Sequence, residues 1–141
     1  MKKGKLVAVG LVPLALGAVL HAIVLTRPDT IPPVFWIGFG FLLLWGVLGY
    51  LLCGWGDSKI EVTAYAHLIG GIFLLLILFQ EIVLGHYLSN ALGLVTQSYF
   101  LLLLNVSFWL APWAGYVWAV NIVALVLMIG AFYLGCHIKK K

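Results

Sequence analysis

Five apolar runs of about twenty residues, joined by connections too short to hold a domain, constrain this chain more than any other feature. They cover 5–26, 34–55, 61–86, 91–110 and 114–136. A hydrocarbon core of about 30 Å takes roughly 20 residues of helix. Backbone amides in lipid must be satisfied within the segment, so each run is expected to be a helix. Pro28, Pro32 and Pro33 stop one helix and suit the first turn of the next. Gly54, Gly56 and Asp57 mark a turn, Ser89-Asn90 offers a cap, and Pro112 divides an apolar stretch too long for one crossing. The expected fold is an all-α polytopic transmembrane helical bundle. It forms a single membrane domain over 1–141 with no soluble domain, as a multi-pass integral membrane protein. The first run begins like a signal peptide, but it stays apolar through Leu25 and is expected to be a retained helix.

Composition agrees. Hydrophobic residues make up 65% of the chain and charged residues 9%, against about 25% charged in soluble domains. A soluble enzyme, a disordered tail and a disulfide scaffold are excluded. The net charge of +4 comes without a basic face interleaved with aromatics, so nucleic acid is not expected as a partner. The expected partners are the lipid bilayer and, beyond it, other membrane subunits or a second copy of the chain. Cys53 and Cys136 show no metal or redox spacing.

The lysines bear on topology. Six of the eight basic residues are Lys2, Lys3, Lys5, Lys139, Lys140 and Lys141, in the two tails; Arg27 and Lys59 complete the set. Five crossings split them four and four. Four crossings with one re-entrant segment put seven on one side and Arg27 on the other, a strong positive-inside bias. Five crossings are nevertheless expected, because the stretch from Tyr87 to His137 would be near 75 Å as one helix. That count also places most Trp and Tyr at the interfaces. Four crossings plus a re-entrant segment is the alternative.

Polar groups inside apolar spans are costly and default to functional candidates. Glu81 is the sharpest, about 8 Å inside the end of the third run. With five crossings, His21, Glu81, His86, Cys136, His137, Asn90 and the connection bearing Arg27 and Asp29 share one face, as a polar mouth. The bland reading has Glu81 reaching the interface or pairing with Arg27. His67 lies toward the other face; it is a second candidate, lining a cavity with Asn105 and Asn121. Gln97, Ser98, Asn105 and Asn121 otherwise serve interhelical hydrogen bonds. Glycines such as Gly17, Gly46, Gly49 and Gly135 invite close helix packing. No hydrolase, metalloprotease or nucleotide-loop motif is present, and a non-enzymatic role is expected.

The stretch Arg27-Pro28-x-x-x-Pro32-Pro33-x-x-Trp36, followed by Trp45 and Tyr50, resembles the corresponding segment of the tryptophan-rich sensory proteins, the translocator protein family. The resemblance covers residues 27–50 and implies a five-span bundle that binds porphyrins and sterols. The chain departs elsewhere: His21-Ala22 stands where that family has Trp-Tyr, and Ile69-Gly70-Gly71 replaces its third-span motif. Three functions follow as expectations: a ligand-binding or transporting protein with its mouth near Glu81, an accessory subunit of a larger membrane complex, and a haem or metal redox subunit using His21, His86 or His137.

Overall fold

The computed structural model describes residues 2–27, 29 and 32–139, and among them all regular structure is helical. The first run forms α1 (Lys2–Val9) and α2 (Val12–Thr26), broken at Gly10-Leu11, with Pro13 in the first turn of α2. Helix α3 (Val34–Leu52) starts directly after Pro32-Pro33. Ser58 caps α4 (Lys59–Leu78) by accepting the Glu61 N–H. This helix runs on into a π-turn, Phe79–Leu84, and stops at Gly85, whose φ of +70° favours glycine. Asn90 caps α5 (Ala91–Phe100) by accepting the N–H groups of Leu92 and Gly93. A 3₁₀ turn, Leu101–Leu103, leads to α6 (Leu104–Leu110), and α7 (Val117–Ile138) completes the chain. Five helical segments are long and apolar enough to cross a membrane: Lys2–Thr26, Val34–Trp55, Lys59–Leu84, Ala91–Leu110 and Val117–Ile138. Each lies within a few residues of the run read from the sequence.

Contacts set the direction of each segment. At one end Lys3 pairs with Glu61 at 2.6 Å, and Lys139 reaches the Leu51 carbonyl at 3.3 Å. The Cys136 thiol donates to the Gly49 carbonyl nearby. At the opposite end Glu81 accepts the Trp118 N–H at 2.8 Å, and Phe35 meets Trp109 edge-on at 5.9 Å. The first and third segments therefore run one way, and α3 and α7 the other. The end carrying Lys3 and Lys139 is the lysine end; the end carrying Glu81 is the mouth.

The fourth segment enters and leaves at the mouth. Thr96 bonds Gln80 near that end. Deeper in, Ser98 meets His21 and the Tyr99 hydroxyl reaches the Gly10 carbonyl at 2.9 Å. Past the 3₁₀ turn the chain returns, with Val106 against Gly38 and then Trp109 against Phe35. Five apolar helices are present, then, but the path is that of the re-entrant alternative: α5 and α6 form a V, and four segments run the length of the bundle. The physical reason is shielding. Half of the apolar window of 91–110 is buried within the protein, against 22–33% for the other four, so much of its bent backbone is kept from lipid. Lys2, Lys3, Lys5, Lys59 and Lys139 belong to the lysine end and Arg27 to the mouth end. Lys140 and Lys141 lie outside the described residues, as do Pro28, Thr30 and Ile31 of the proline-rich connection.

The core sits where α3, α4 and α7 converge. Trp45, Phe132 and Met128 are buried there with His67. The same core continues to Tyr99 and Phe100 of the V, where Phe73 stacks on Tyr99. Leu43, Leu75, Val126 and Leu134 point outward, the surface an acyl-chain solvent requires.

Candidate functional site

The mouth is built around Glu81, which lies on the π-turn. Such turns widen a helix locally and are frequent at functional sites. One carboxylate oxygen accepts the Trp118 N–H; the other accepts the Tyr87 hydroxyl. Trp118 belongs to the first turn of α7, whose N–H groups have no partner in their own helix and whose dipole end favours an anion. No cation pairs with Glu81 among the described residues: Arg27 and Asp29 lie exposed on their connection, and neither joins a salt bridge there. Burial and the Glu81 carboxylate push the Tyr87 phenol up from its ordinary range, which keeps it a donor.

A cleft of about 470 Å³ opens beside the carboxylate, lined by Glu81, His86, Tyr87, Tyr116 and Trp118 among others. The rings of Tyr116 and Trp118 stack at 5.9 Å. His86 is exposed. Its Nδ1–H donates to the Leu84 carbonyl, which can only accept.

Beneath the cleft lies Gln80, which the sequence reading passed over. Its only signal was a primary amide at the end of the apolar stretch Leu68–Phe79, next to Glu81. It is 1% exposed. Its amide donates to the Thr96 hydroxyl at 3.1 Å and the Leu76 carbonyl at 3.3 Å, and its oxygen accepts the Leu88 N–H at 3.0 Å. This residue ties the π-turn, the 85–90 connection and the V together. Gln80→Leu leaves the Leu88 N–H without its acceptor, at a cost of about 1–3 kcal/mol. A lower thermal midpoint in detergent and faster proteolysis at 85–90 are the expected readouts.

The other candidates are dispersed. His21 Nδ1 contacts the Ser98 hydroxyl at 3.2 Å, and Ser98 itself donates to the Leu94 carbonyl, so His21 clips α2 to the V. His67 lies in the core of the lysine half. Trp45 donates to its Nε2 at 2.9 Å, and its Nδ1–H donates to the Thr63 carbonyl at 2.8 Å. Both ring nitrogens are occupied, which suits a structural residue. His67 and Asn121 are buried, whereas Asn105 faces outward on α6, so Asn105 does not join the other two around a shared cavity. Cys136 and His137 are corrected too: α7 starts at the mouth, so both belong to the lysine end. Among the described residues no three His, Cys, Asp or Glu side chains are grouped to hold a metal ion.

The mouth thus combines a carboxylate, an imidazole and three aromatic rings at one end of a multi-pass helical membrane bundle. No protein-family model, curated protein or solved structure matches this chain, so the likeness to the translocator proteins stays confined to residues 27–50.

Proposed function

We propose that this protein binds a small organic cation at the mouth. One observation carries the reading: a carboxylate with no cationic partner among the described residues faces an open cleft walled by Tyr87, Tyr116 and Trp118. Aromatic faces attract a cation by about 0.5–2 kcal/mol, and the carboxylate adds a direct charge contact. The two donors on Glu81 hold it in place without neutralising it.

Tetramethylammonium is a suitable probe, with its uncharged carbon isostere neopentane as control, followed by tryptophan fluorescence of the purified protein. The cation binds and the isostere does not. Glu81→Gln, which keeps the shape and one of the two acceptor oxygens, weakens cation binding about tenfold or more. Equal binding of the two probes would sink the reading.

Membership of a larger assembly is a second reading, favoured by Asn105. Its amide faces outward from α6 and makes no hydrogen bond among the described residues, a costly arrangement against lipid that a neighbouring subunit relieves. Stoichiometric partner chains in mild detergent distinguish the two.

A further inference from the structure

We propose that the seam between α3 and α7 holds one anionic phospholipid from the leaflet at the lysine end. Its headgroup sits between Lys59 and Lys139, and one acyl chain lies in the groove that continues from there. This site is at the opposite end from Glu81 and stands independently of the cation reading.

Two adjoining spaces carry the inference. The first is a groove of about 470 Å³ on the outer face of the bundle, walled by Phe39, Leu43, Val47, Tyr50, Leu134 and Ile138. Gly46, Ala131 and Gly135 also line it, and these small residues keep it open. From Phe39 to Tyr50 it runs eleven helical rises, about 16 Å. That is close to half of a hydrocarbon core of about 30 Å, the depth of one leaflet. The groove therefore fits an acyl chain anchored at the lysine end.

The second space is a cavity of about 500 Å³ lined by Cys53, Gly54, Gly56, Asp57, Ser58, Lys59 and Lys139. Lys139 links the two spaces: it lines the cavity, and its Nζ lies 5.6 Å from the centre of the Tyr50 ring, which lines the groove. Charge selects the headgroup. The acids of this end, Asp57 and Glu61, are both answered by Lys3, at 3.9 and 2.6 Å. Lys59 and Lys139 pair with no carboxylate among the described residues; Lys139 donates only to the Leu51 carbonyl. Two cations over this cavity, at the head of a groove one leaflet deep, match a phosphodiester carrying an acyl chain. A zwitterionic lipid fills the groove equally well but answers the lysines poorly.

The test uses delipidated full-length protein in neutral detergent, titrated with phosphatidylglycerol and with phosphatidylcholine of identical chains, and read by native mass spectrometry. A basic residue near an anionic lipid surface is worth about fivefold in affinity, and two about 25-fold. The first phosphatidylglycerol should bind about 25-fold more tightly than phosphatidylcholine. In the Lys59→Gln/Lys139→Gln double variant the two lipids should become equal. Val47→Trp, at a half-exposed groove position, should weaken both lipids while keeping the preference. Leu43→Trp, on the same wall and more exposed, repeats the test should the first variant fold poorly. Equal affinity of the two lipids for the native chain overturns the proposal, as does a preference that survives loss of both lysines. Displacement of the lipid by glycerol phosphate at the same concentration overturns it too, because the groove would then contribute nothing.

Discussion

Cysteines placed at Gly4 and Ser58 stay hidden from a membrane-impermeant thiol reagent in intact cells, and cysteines at Ser89 and Gly115 react. The expectation rests on the path of the fourth segment. Trp118 bonds Glu81, and Ala111 and Ala114 pack with Val120, so the 111–116 connection belongs to the mouth together with 85–90. With five crossings Gly115 would instead share a side with Gly4. The lysines give the sign: the basic residues of the lysine end favour the cytoplasm by the positive-inside rule, with Arg27 opposite. The experiment needs Cys53 and Cys136 replaced by alanine. Both are free thiols at the lysine end, and Cys136 is buried. Protection of Gly115→Cys alongside Gly4→Cys would restore five crossings and remove the V. Reporters fused to the two termini give an independent check: both read cytoplasmic.

The apolar runs were legible because hydropathy measures length, and length decides whether a segment can span lipid. Helix ends were legible where punctuation was local: Asn90 caps one helix and Pro32-Pro33 precede the start of another. The reversal at Leu101–Leu103 was not, since neither Gly nor Pro marks it and leucines fill it on both sides. What betrayed it was a long-range property, the charge count of seven to one, which weighs every connection at once. The same reversal explains the fate of the candidate site. Glu81, His86 and the nearby Tyr87 keep their place because all lie on one short stretch. Cys136 and His137 moved to the other end because their position depended on counting crossings. His67 could not be judged from the sequence, as Trp45 approaches it only in the packed bundle. Gln80 was hidden by its neighbour: a buried amide and a functional acid look alike until their partners are seen.

Gly135→Ala and Gly130→Ala, five residues apart on α7, shift stability in opposite directions. A Cβ on Gly135 would collide with the Gly46 carbonyl oxygen, and one on Gly49 with the Phe132 carbonyl, so α3 and α7 meet backbone to backbone. Water does not drive helices together in lipid; close packing of small residues and polar contacts does. The opposing atoms are main chain and cannot rotate aside, so the helices must separate. Overpacking of this kind costs about 1–3 kcal/mol. Separation also stretches the Cys136 to Gly49 hydrogen bond and the packing of Trp45 on Phe132 along the same seam. Gly135→Val, with a branched Cβ, costs more than alanine. A Cβ on Gly130 meets nothing within 4 Å, so alanine there adds only helix propensity, up to about 1 kcal/mol in favour of folding. Thermal midpoints in one detergent, followed by tryptophan fluorescence, compare the two directly: Gly130→Ala at or above the parent, Gly135→Ala well below it. Equal shifts would mean that α3 and α7 do not close on each other at Gly135, and a groove whose walls are those two helices would go with them.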